Sequence, residues 1–325
     1  MDAASLRAIL SFAARIPLVT GGGASEIPRR DDLRGRTVAT LFFEDSTRTR
    51  TSFTIAAQRL GADVVDLSGG TTSLNKGETI VDTATNVEAM GIDAIIVRAR
   101  QSGAAAMAAA RVQCPVINAG DGRHEHPTQG LLDTLTIAEA HGRGESLELA
   151  GLRVAIVGDV ASSRVARSGI AALTALGAGV VCVGPPGMVS PAHAALVTPG
   201  ASGVCEISHT LDDVLPTVDA VMMLRIQFER HDGAASQVAG VPAAKKTPLI
   251  ASVRDYRHGY ALTVDRAKAL KPGAIVMHPG PMNRGLEIDG EVADGPRSVI
   301  LRQVSNGVRV RMAALALCHA AAKAR

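Results

Sequence analysis

Short runs of apolar and β-branched residues alternate with longer stretches of helical periodicity along residues 1–140. The apolar runs predict strands at residues 37–43, 63–67, 93–98 and 115–118. Helices are predicted at residues 51–60, in the Ala-rich stretch after residue 98, and at residues 127–141. Because strands that alternate with helices form βαβ units, this half of the chain predicts a parallel sheet.

A second α/β domain is predicted to begin near residue 140. The polar, glycine-containing stretch 141–145 precedes an almost uninterrupted apolar run at 152–159, which is typical of a buried parallel strand. Further strands are predicted at residues 179–183, 220–224 and 274–277, and a last helix at residues 308–323 can pack on either domain. The pattern therefore predicts an α/β fold with two doubly wound parallel-sheet domains.

The composition indicates a folded protein with a large core. Of the 325 residues, 46% are hydrophobic and 20% are charged, whereas disordered chains are poor in apolar residues. The formal net charge of +3, the 2% of aromatic residues and the absence of Trp argue against a protein that binds nucleic acid. No apolar run is long enough for a transmembrane helix, and the first residues lack the layout of a signal peptide, so we expect no membrane association.

The four cysteines, Cys114, Cys182, Cys205 and Cys318, are far apart in the sequence, and none forms a C-x-x-C pair. Each lies in or beside an apolar stretch. We therefore expect reduced, mostly buried thiols in a cytoplasmic protein, and no structural zinc.

A candidate phosphate site follows the first predicted strand, at the end where open α/β sheets bind ligands. Ser46, Thr47, Arg48, Thr49 and Arg50 stand at the start of a predicted helix. The N–H groups of a helix N-terminus, hydroxyl groups and guanidinium groups are all donors that match phosphate oxygens. The alternative is an ordinary helix cap with surface arginines. The segment is not a nucleotide P-loop, because the G-x-x-x-x-G-K pattern is absent.

His126 and Gln129 open the helix after the fourth strand, where Pro127 suits the first helical turn. A neutral imidazole donates to a carbonyl oxygen and an amide accepts from an NH₂ group, so the pair fits an amide-like ligand. Arg98 ends a buried strand, where a cation needs an anion, and we expect it to contact ligand oxygen. The alternative for His126 is a capping or core role. With His124 it forms an H-x-H pair, but without a carboxylate or cysteine cluster we expect no metal.

Arg164, Arg225 and Gln227 form a candidate carboxylate site. Each follows a predicted strand of the second domain, and in an extended segment Arg225 and Gln227 point to the same side. Guanidinium groups bind carboxylates bidentately, so two arginines and an amide suit a dicarboxylate. Surface salt bridging is the alternative.

Two further loops contain candidate residues. Lys76, in a small and polar loop, can bring a cation to an anionic ligand, or it is a solvated lysine. Gly280 and Pro281 lie in a turn with a proline on each side of the glycine, which can aim backbone carbonyls inward or simply reverse the chain.

With these segments in hand, the sequence resembles the aspartate/ornithine carbamoyltransferase family, and within it the catalytic chains of the aspartate branch. The matching segments are FFEDSTRTRTSF at 42–53, KGET at 76–79, HPTQ at 126–129, RIQFER at 225–230 and HPGPMNRG at 278–285. The first and third occur in carbamoyltransferases generally, whereas R-x-Q and H-P-G-P-x-N-R-G favour the aspartate branch. The His-Cys-Leu-Pro loop of the ornithine branch is missing. Gly280 departs locally from the pattern, at a position where the family varies.

The resemblance implies that the carbamoyl group of carbamoyl phosphate is transferred to the amine of L-aspartate, giving N-carbamoyl-L-aspartate and phosphate, an early step of pyrimidine biosynthesis. It implies no cofactor and no metal. It also implies a carbamoyl phosphate domain at residues 1–140 and 300–325, and an aspartate domain at residues 141–299. A homotrimer with shared active sites is implied as well, in which Ser73 and Lys76 reach a neighbour's site.

The resemblance further implies a role for each candidate residue. The phosphate would be held by Ser46, Thr47, Arg48 and Thr49. The carbonyl oxygen would be polarised by Thr49, Arg98 and His126, and the NH₂ group would be held by Gln129 and the backbone of Gly280 and Pro281. The carboxylates of aspartate would be held by Arg164, Arg225 and Gln227, and Lys76 would stabilise charge on phosphate and aspartate.

Three alternatives stay open at this point. The acceptor amine can be ornithine or another amine. The chain can be a non-catalytic phosphate-binding or scaffold subunit, although the expected polar side chains are all present. A catalytic chain of this kind can also dock onto a regulatory or dihydroorotase-like partner.

Overall fold

The computed structural model of the chain describes residues 1–17, 27–68, 78–226 and 252–324. The chain divides into two compact units. The first comprises Met1–Leu147, Arg167–Ala172 and Arg302–Arg325, and the second comprises Glu148–Ala166 and Leu173–Leu301.

Strands and helices alternate through both units. The strands are β1 (Thr37–Phe42), β2 (Asp63–Ser68), β3 (Ala94–Ala99), β4 (Val116–Asp121), β5 (Arg153–Val157), β6 (Gly179–Val183), β7 (Cys205–Ser208), β8 (Ala220–Met223) and β9 (Ile275–Met277). The α-helices are α1 (Ala3–Ala14), α2 (Thr47–Arg59), α3 (Ile80–Ala89), α4 (Ala104–Ala109), α5 (Pro127–Ala140), α6 (Arg164–Ala175), α7 (Leu211–Val214), α8 (Val253–Tyr260), α9 (Val264–Ala267), α10 (Gly290–Ala293) and α11 (Ile300–Lys323).

The first unit contains a four-stranded parallel sheet in the order β2-β1-β3-β4. Helices cover both of its faces, because successive side chains of a strand point to opposite sides. Phe42 of β1 belongs to one apolar cluster with Phe53 of α2 and Met312 of α11. Leu41, the next residue back along β1, belongs to the opposite cluster with Val87 of α3. The strand therefore contributes to two cores at once.

The second unit contains a five-stranded parallel sheet in the order β7-β6-β5-β8-β9. Its core includes Val157, Val181 and Met223 from three neighbouring strands, packed with Leu211 and Ile288. All five side chains are buried, as expected for strands covered on both faces.

These two sheets confirm the predicted fold class of two parallel-sheet α/β domains. Two predicted helices need correction, and one strand was missed. The last helix begins at Ile300 rather than at residue 308, and α2 begins at Thr47 rather than at residue 51. Strand β7 was not predicted, because it is a short edge strand with polar residues and so lacks a continuous apolar run.

The expectation of mostly buried thiols is wrong in part. All four cysteines are free, and Cys182 is buried, but Cys114 and Cys205 are half-buried and Cys318 is exposed. An apolar neighbourhood in the sequence buries a thiol only when its position faces the core, and Cys318 on α11 does not. None of the described helices is long and apolar enough to cross a bilayer.

Candidate functional site

The order of strands fixes where a ligand can bind in the first unit. The chain runs from β1 outward to β2 and then returns past β1 to β3, so the direction of winding changes between β1 and β3. In open α/β sheets the crevice at the carboxyl ends of the strands forms at this point. Phe42 and Arg98, at the ends of β1 and β3, are register partners, and the N–H of Phe43 donates to the carbonyl oxygen of Arg98 at 2.8 Å.

Helix α2 starts at this edge with the predicted phosphate segment. Ser46 is its N-cap residue, and its first turn contains no acidic residue. The side chain of Thr49 is buried, whereas Thr47 and Arg48 are exposed. The N–H groups of a first helical turn have no partners within the helix, and the positive end of the helix dipole lies there. The residues thus present backbone N–H groups, hydroxyls and a guanidinium group at one helix start, which suits an anion with several oxygens.

Arg98 is buried and contacts two protein groups beside this helix start. Its Nη2 donates to Glu44 Oε1 at 2.7 Å, and its Nη1 donates to the carbonyl oxygen of Ala119 at 3.1 Å. From the sequence, a buried Arg98 was expected to need an anion, and a ligand was expected to supply it. The structure shows that Glu44 supplies an anion, so burial alone no longer argues for a ligand, and the contact of Arg98 with ligand oxygen stays a prediction.

The loop before α5 is held by the buried carboxylate of Asp121. This group accepts hydrogen bonds from the backbone N–H groups of Gly103 at 2.6 Å and Glu125 at 3.1 Å, and from Asn118 Nδ2 at 2.9 Å. Burial raises the pKa of Asp121, but these hydrogen bonds and the contact with His124 outweigh it and hold the pKa below its usual value. The loop therefore has a fixed anchor directly before the predicted ligand residues.

His126 is the N-cap residue of α5, and Pro127 occupies the first turn as predicted. The side chain of His126 is buried, and its backbone N–H donates to Ser168 Oγ at 2.9 Å. Gly130, one turn further on, is needed for the same packing, because a Cβ there would come within 2.7 Å of the carbonyl oxygen of Ser168. The first turn of α5 is consequently fixed by close backbone packing as well as by its cap.

Gln129 is buried on the same helix, and its Nε2 donates to Asp133 Oδ1 at 3.0 Å. Gln303 of α11 donates to the same oxygen at 2.8 Å. Asp133 is fully buried, and burial raises its pKa to about 7, although the two amides and Arg311 act in the opposite direction. Asp133 was not among the residues predicted from the sequence, although its position four residues after Gln129 on one helix face was a usable signal.

The second unit has its own change of winding direction. Strand β5 has β6 on one side and β8 on the other, and Val157 and Met223 are register partners at their ends. Arg164 begins α6 behind the N-cap residue Ser163, and Arg225 follows β8. Arg164 is buried and Arg225 is half-buried. Both predicted arginines therefore lie beyond the carboxyl ends of the two strands that border this crevice.

The loop after β9, which contains Gly280 and Pro281, is fixed by His278 and Glu287. His278 Nδ1 accepts from the N–H of Gly280 at 2.8 Å, and its Nε2 lies 3.2 Å from Glu287 Oε1. Since Nδ1 accepts, the proton of the neutral ring is on Nε2, where it can be donated to Glu287. The same carboxylate oxygen accepts from the N–H of Asn283 at 2.6 Å. Glu287, which was also not predicted from the sequence, contacts residues at both ends of the turn.

The structure brings the predicted residues together in two groups, one in each unit. The first unit holds Ser46, Thr47, Arg48, Thr49, Arg98, His126 and Gln129 at the carboxyl edge of its sheet. The second holds Arg164, Arg225, Gly280 and Pro281 at the carboxyl edge of the other sheet. Ser73, Lys76 and Gln227 lie outside the described residues. In the described ranges, no group of three or more His, Cys, Asp or Glu side chains is arranged to hold a metal ion.

Two family models match the chain in succession. The model of the aspartate/ornithine carbamoyltransferase carbamoyl-P binding domain matches residues 1–139. The model of the Asp/Orn binding domain of the same family matches residues 150–318.

Close relatives cover almost all of the chain. The aspartate carbamoyltransferase catalytic subunit of Gluconacetobacter diazotrophicus is 53% identical over 288 residues, which are 89% of this chain and 82% of that protein. The aspartate carbamoyltransferase catalytic subunit of Salinispora arenicola is 49% identical over 317 residues, which are 98% of this chain and 94% of that protein.

Solved structures from both branches of the family share the fold. Aspartate transcarbamoylase from Trypanosoma cruzi, in complex with carbamoyl aspartate and phosphate, matches with a TM-score of 0.78 and 29% identity over 97% of this chain and 92% of that one. Ornithine carbamoyltransferase from Thermus thermophilus matches with a TM-score of 0.78 and 25% identity over 98% of this chain and 95% of that one.

Proposed function

The chain belongs to the aspartate/ornithine carbamoyltransferase family, and we propose that it transfers the carbamoyl group of carbamoyl phosphate to the amine of L-aspartate. The products are N-carbamoyl-L-aspartate and phosphate, and the reaction is an early step of pyrimidine biosynthesis. The observation that carries the choice of acceptor is the 49–53% identity to aspartate carbamoyltransferase catalytic subunits over 89–98% of the chain.

Carbamoyl phosphate binds at the carboxyl edge of the first sheet. Ser46, Thr47, Arg48 and Thr49 hold its phosphate at the start of α2, where N–H groups, hydroxyls and a guanidinium group converge. Thr49, Arg98 and His126 hold the carbonyl oxygen, and Gln129 accepts from the NH₂ group with the help of the Gly280 and Pro281 backbone. Support comes from the register of β1 and β3, which places Arg98 beside the end of β1, and from the buried positions of Thr49, His126 and Gln129.

Aspartate binds through Arg164, Arg225 and Gln227. The two carboxylates of aspartate need two cations that are fixed in position. Arg164 and Arg225 can supply them, because these residues follow the carboxyl ends of β5 and β8 in the sequence. Lys76 stabilises the charge that develops on phosphate and aspartate.

The reaction forms a bond between the aspartate nitrogen and the carbamoyl carbon, and breaks the bond between that carbon and a phosphate oxygen. Phosphate leaves with the electron pair, and the proton that the amine gives up balances the charge of the leaving phosphate, which accepts it. Fixed donors at the carbonyl oxygen and the phosphate stabilise the charge of the transition state, and they need no reorganisation as it forms. Because only the neutral amine has a free electron pair, the rate rises with pH through the ionisation of the bound amine.

The assembly follows the same family pattern. The chain forms a homotrimer in which Ser73 and Lys76 reach a neighbour's site, and it resides in the cytoplasm. A regulatory or dihydroorotase-like chain is a further candidate partner, which sizing of the native complex would detect. Residues 1–140 and 300–325 form the carbamoyl phosphate domain and residues 141–299 the aspartate domain. The first unit of the fold, which includes Arg302–Arg325, supports this division, whereas the match of the second family model extends to residue 318.

The test is an assay of the purified chain with carbamoyl phosphate and, in separate reactions, L-aspartate, L-ornithine and other amino acids. We expect N-carbamoyl-L-aspartate as the main product. Faster turnover of ornithine would refute the choice of acceptor, and no turnover of any amine would favour a binding or scaffold subunit.

The variant Arg48→Ala tests the phosphate site in the same assay. Loss of an oriented charge from a catalytic site removes about 3 kcal/mol of transition-state stabilisation, so kcat/KM should fall about 100-fold or more. Arg111→Ala is the matched control. Arg111 is an exposed arginine that precedes β4, and so lies toward the amino ends of the strands of the same sheet, whereas the candidate site lies at their carboxyl ends. Equal activity of the two variants would refute the assignment of Arg48.

A further inference from the structure

One carboxylate oxygen on α5 holds two side-chain amides in the core of the first unit. Gln129 Nε2 and Gln303 Nε2 both donate to Asp133 Oδ1, at 3.0 Å and 2.8 Å. The three side chains are buried, with exposures of 8%, 2% and 0% for Gln129, Gln303 and Asp133. Within the described residues, Asp133 Oδ2 has no hydrogen-bond partner. Both bonds of Asp133 therefore go to amide NH₂ groups through a single atom.

The chemistry of a carboxylate determines which way the Gln129 amide lies. Asp133 Oδ1 can only accept, so the NH₂ group of Gln129 must point toward it. The oxygen and the nitrogen of a side-chain amide lie on opposite sides of the Cγ–Cδ bond axis. When Nε2 of Gln129 faces Asp133, its Oε1 is therefore directed away from Asp133. A proton on Asp133 would occupy Oδ2, which leaves Oδ1 an acceptor in both ionisation states.

We propose that Asp133 is a positioning residue for the reaction, which orients the amide of Gln129 so that its Oε1 accepts a hydrogen bond from the NH₂ group of carbamoyl phosphate. The inference rests on the proposed function. If the amide group of Gln129 were rotated by 180°, its NH₂ group would face the NH₂ group of the ligand. Two hydrogen-bond donors that face each other repel. Asp133 acts only through Gln129 and does not touch the ligand.

The burial of Asp133 supports a role beyond stability. Taking a carboxylate out of water costs free energy, and this cost raises the pKa of Asp133 to about 7 despite two hydrogen bonds and the nearby Arg311. An apolar residue at this position would avoid the cost but would leave the orientation of Gln129 undetermined. Gln303 occupies the second position on Oδ1, so α11 braces the same contact from a different part of the chain.

The experiment measures carbamoyl phosphate binding by calorimetry and its KM in the transferase assay. The variants are Asp133→Leu, Gln129→Leu and the double variant, with Gln303→Leu as matched control, because it removes the other donor to the same oxygen. We expect Asp133→Leu and Gln129→Leu each to weaken binding and raise KM about tenfold, and Gln303→Leu to change both less than about threefold. In the Gln129→Leu background, Asp133→Leu should add less than about a twofold change, since Asp133 then has nothing to orient.

The conservative variant Asp133→Asn distinguishes a positioning role of Asp133 from a role in core packing alone. Asp133→Asn keeps one acceptor oxygen. The NH₂ groups of Gln129 and Gln303 favour the rotamer in which this oxygen faces them, so the affinity for carbamoyl phosphate should stay within about threefold of wild type. Should Asp133→Leu fail to fold, Asp133→Ser carries the same expectation, because its hydroxyl is too short to reach Gln129. Normal binding in the Leu or Ser variant, or effects of Asp133 and Gln129 that multiply in the double variant, would overturn the proposal.

Failure of the proposed function is distinguishable from failure of this inference. If the wild-type chain binds no carbamoyl phosphate, both are overturned. If it binds carbamoyl phosphate but does not transfer the carbamoyl group to aspartate, only the proposed function fails, because the binding measurements still test the role of Asp133. If the wild type is fully active and the Asp133 variants bind normally, only the inference fails.

Discussion

The buried carboxyl of Asp133 makes the stability of the protein depend on pH in a direction opposite to that of most carboxyl groups. Burial raises its pKa from an ordinary value near 4 to about 7 in the folded chain. The groups that face it are the neutral amides of Gln129 and Gln303 and the guanidinium group of Arg311. Burial lowers the pKa of Arg311 to about 10, so this group stays charged below neutral pH.

The sign follows from proton binding in the two states. Between about pH 4 and about pH 7 the folded chain retains the proton of Asp133, whereas the unfolded chain releases it. The folded state therefore binds more protons in this range, and the free energy of unfolding falls as pH rises. A pKa difference of about three corresponds to about 4 kcal/mol, which is reached near pH 7 and stays constant above it.

Replacement of Asp133 by Asn removes this titration and keeps an acceptor oxygen for Gln129 and Gln303. We expect the free energy of unfolding of Asp133→Asn, minus that of the wild type, to increase by about 4 kcal/mol between about pH 4 and about pH 8. Urea unfolding at a series of pH values, at one protein concentration, measures this difference. The control Asp31→Asn removes one carboxyl from an exposed side chain of the same unit. If both variants follow the pH profile of the wild type, the carboxyl of Asp133 is not the source of the dependence, and the reasoning is refuted.

Three further substitutions test the geometry of the two units. Glu44→Gln removes the negative charge that lies 2.7 Å, from Oε1 to Nη2, from the buried guanidinium group of Arg98, and it should lower the free energy of unfolding by about 2 kcal/mol. An unchanged melting temperature would contradict this. Gly130→Ala should destabilise the chain by about 1–3 kcal/mol and raise the KM for carbamoyl phosphate, because the new Cβ meets the Ser168 carbonyl oxygen; Gly259→Ala, with nothing within 4 Å, is the thermal-unfolding control. Arg225→Ala should raise the KM for aspartate at least about tenfold and leave that for carbamoyl phosphate nearly unchanged; the reverse pattern in steady-state kinetics would show that the two binding groups were assigned wrongly.

Some residues of the candidate site could be predicted from the sequence, whereas the contacts of others could not. The candidate phosphate segment at the start of α2 could be found from the sequence, because hydroxyls and guanidinium groups after an apolar run are a local pattern, although the helix begins four residues earlier than predicted. The partner of Arg98 could not be found in this way. Glu44 and Arg98 are 54 positions apart, and the contact exists only because β1 and β3 are neighbours in the sheet.

What the sequence by itself determined is the strands with continuous apolar runs, several of the helices and the residue types at their ends, because the periodicity of apolar residues and the chemistry of capping act over a few neighbouring positions. What only the tertiary structure decided is which strand ends meet and which groups share a hydrogen bond. Asp133 shows the difference: its distance of four residues from Gln129 is local, but the contact with Gln303 of α11 joins positions 170 residues apart. Burial of that carboxyl, and the pKa that follows from it, arise only when a helix from the end of the chain packs against α5.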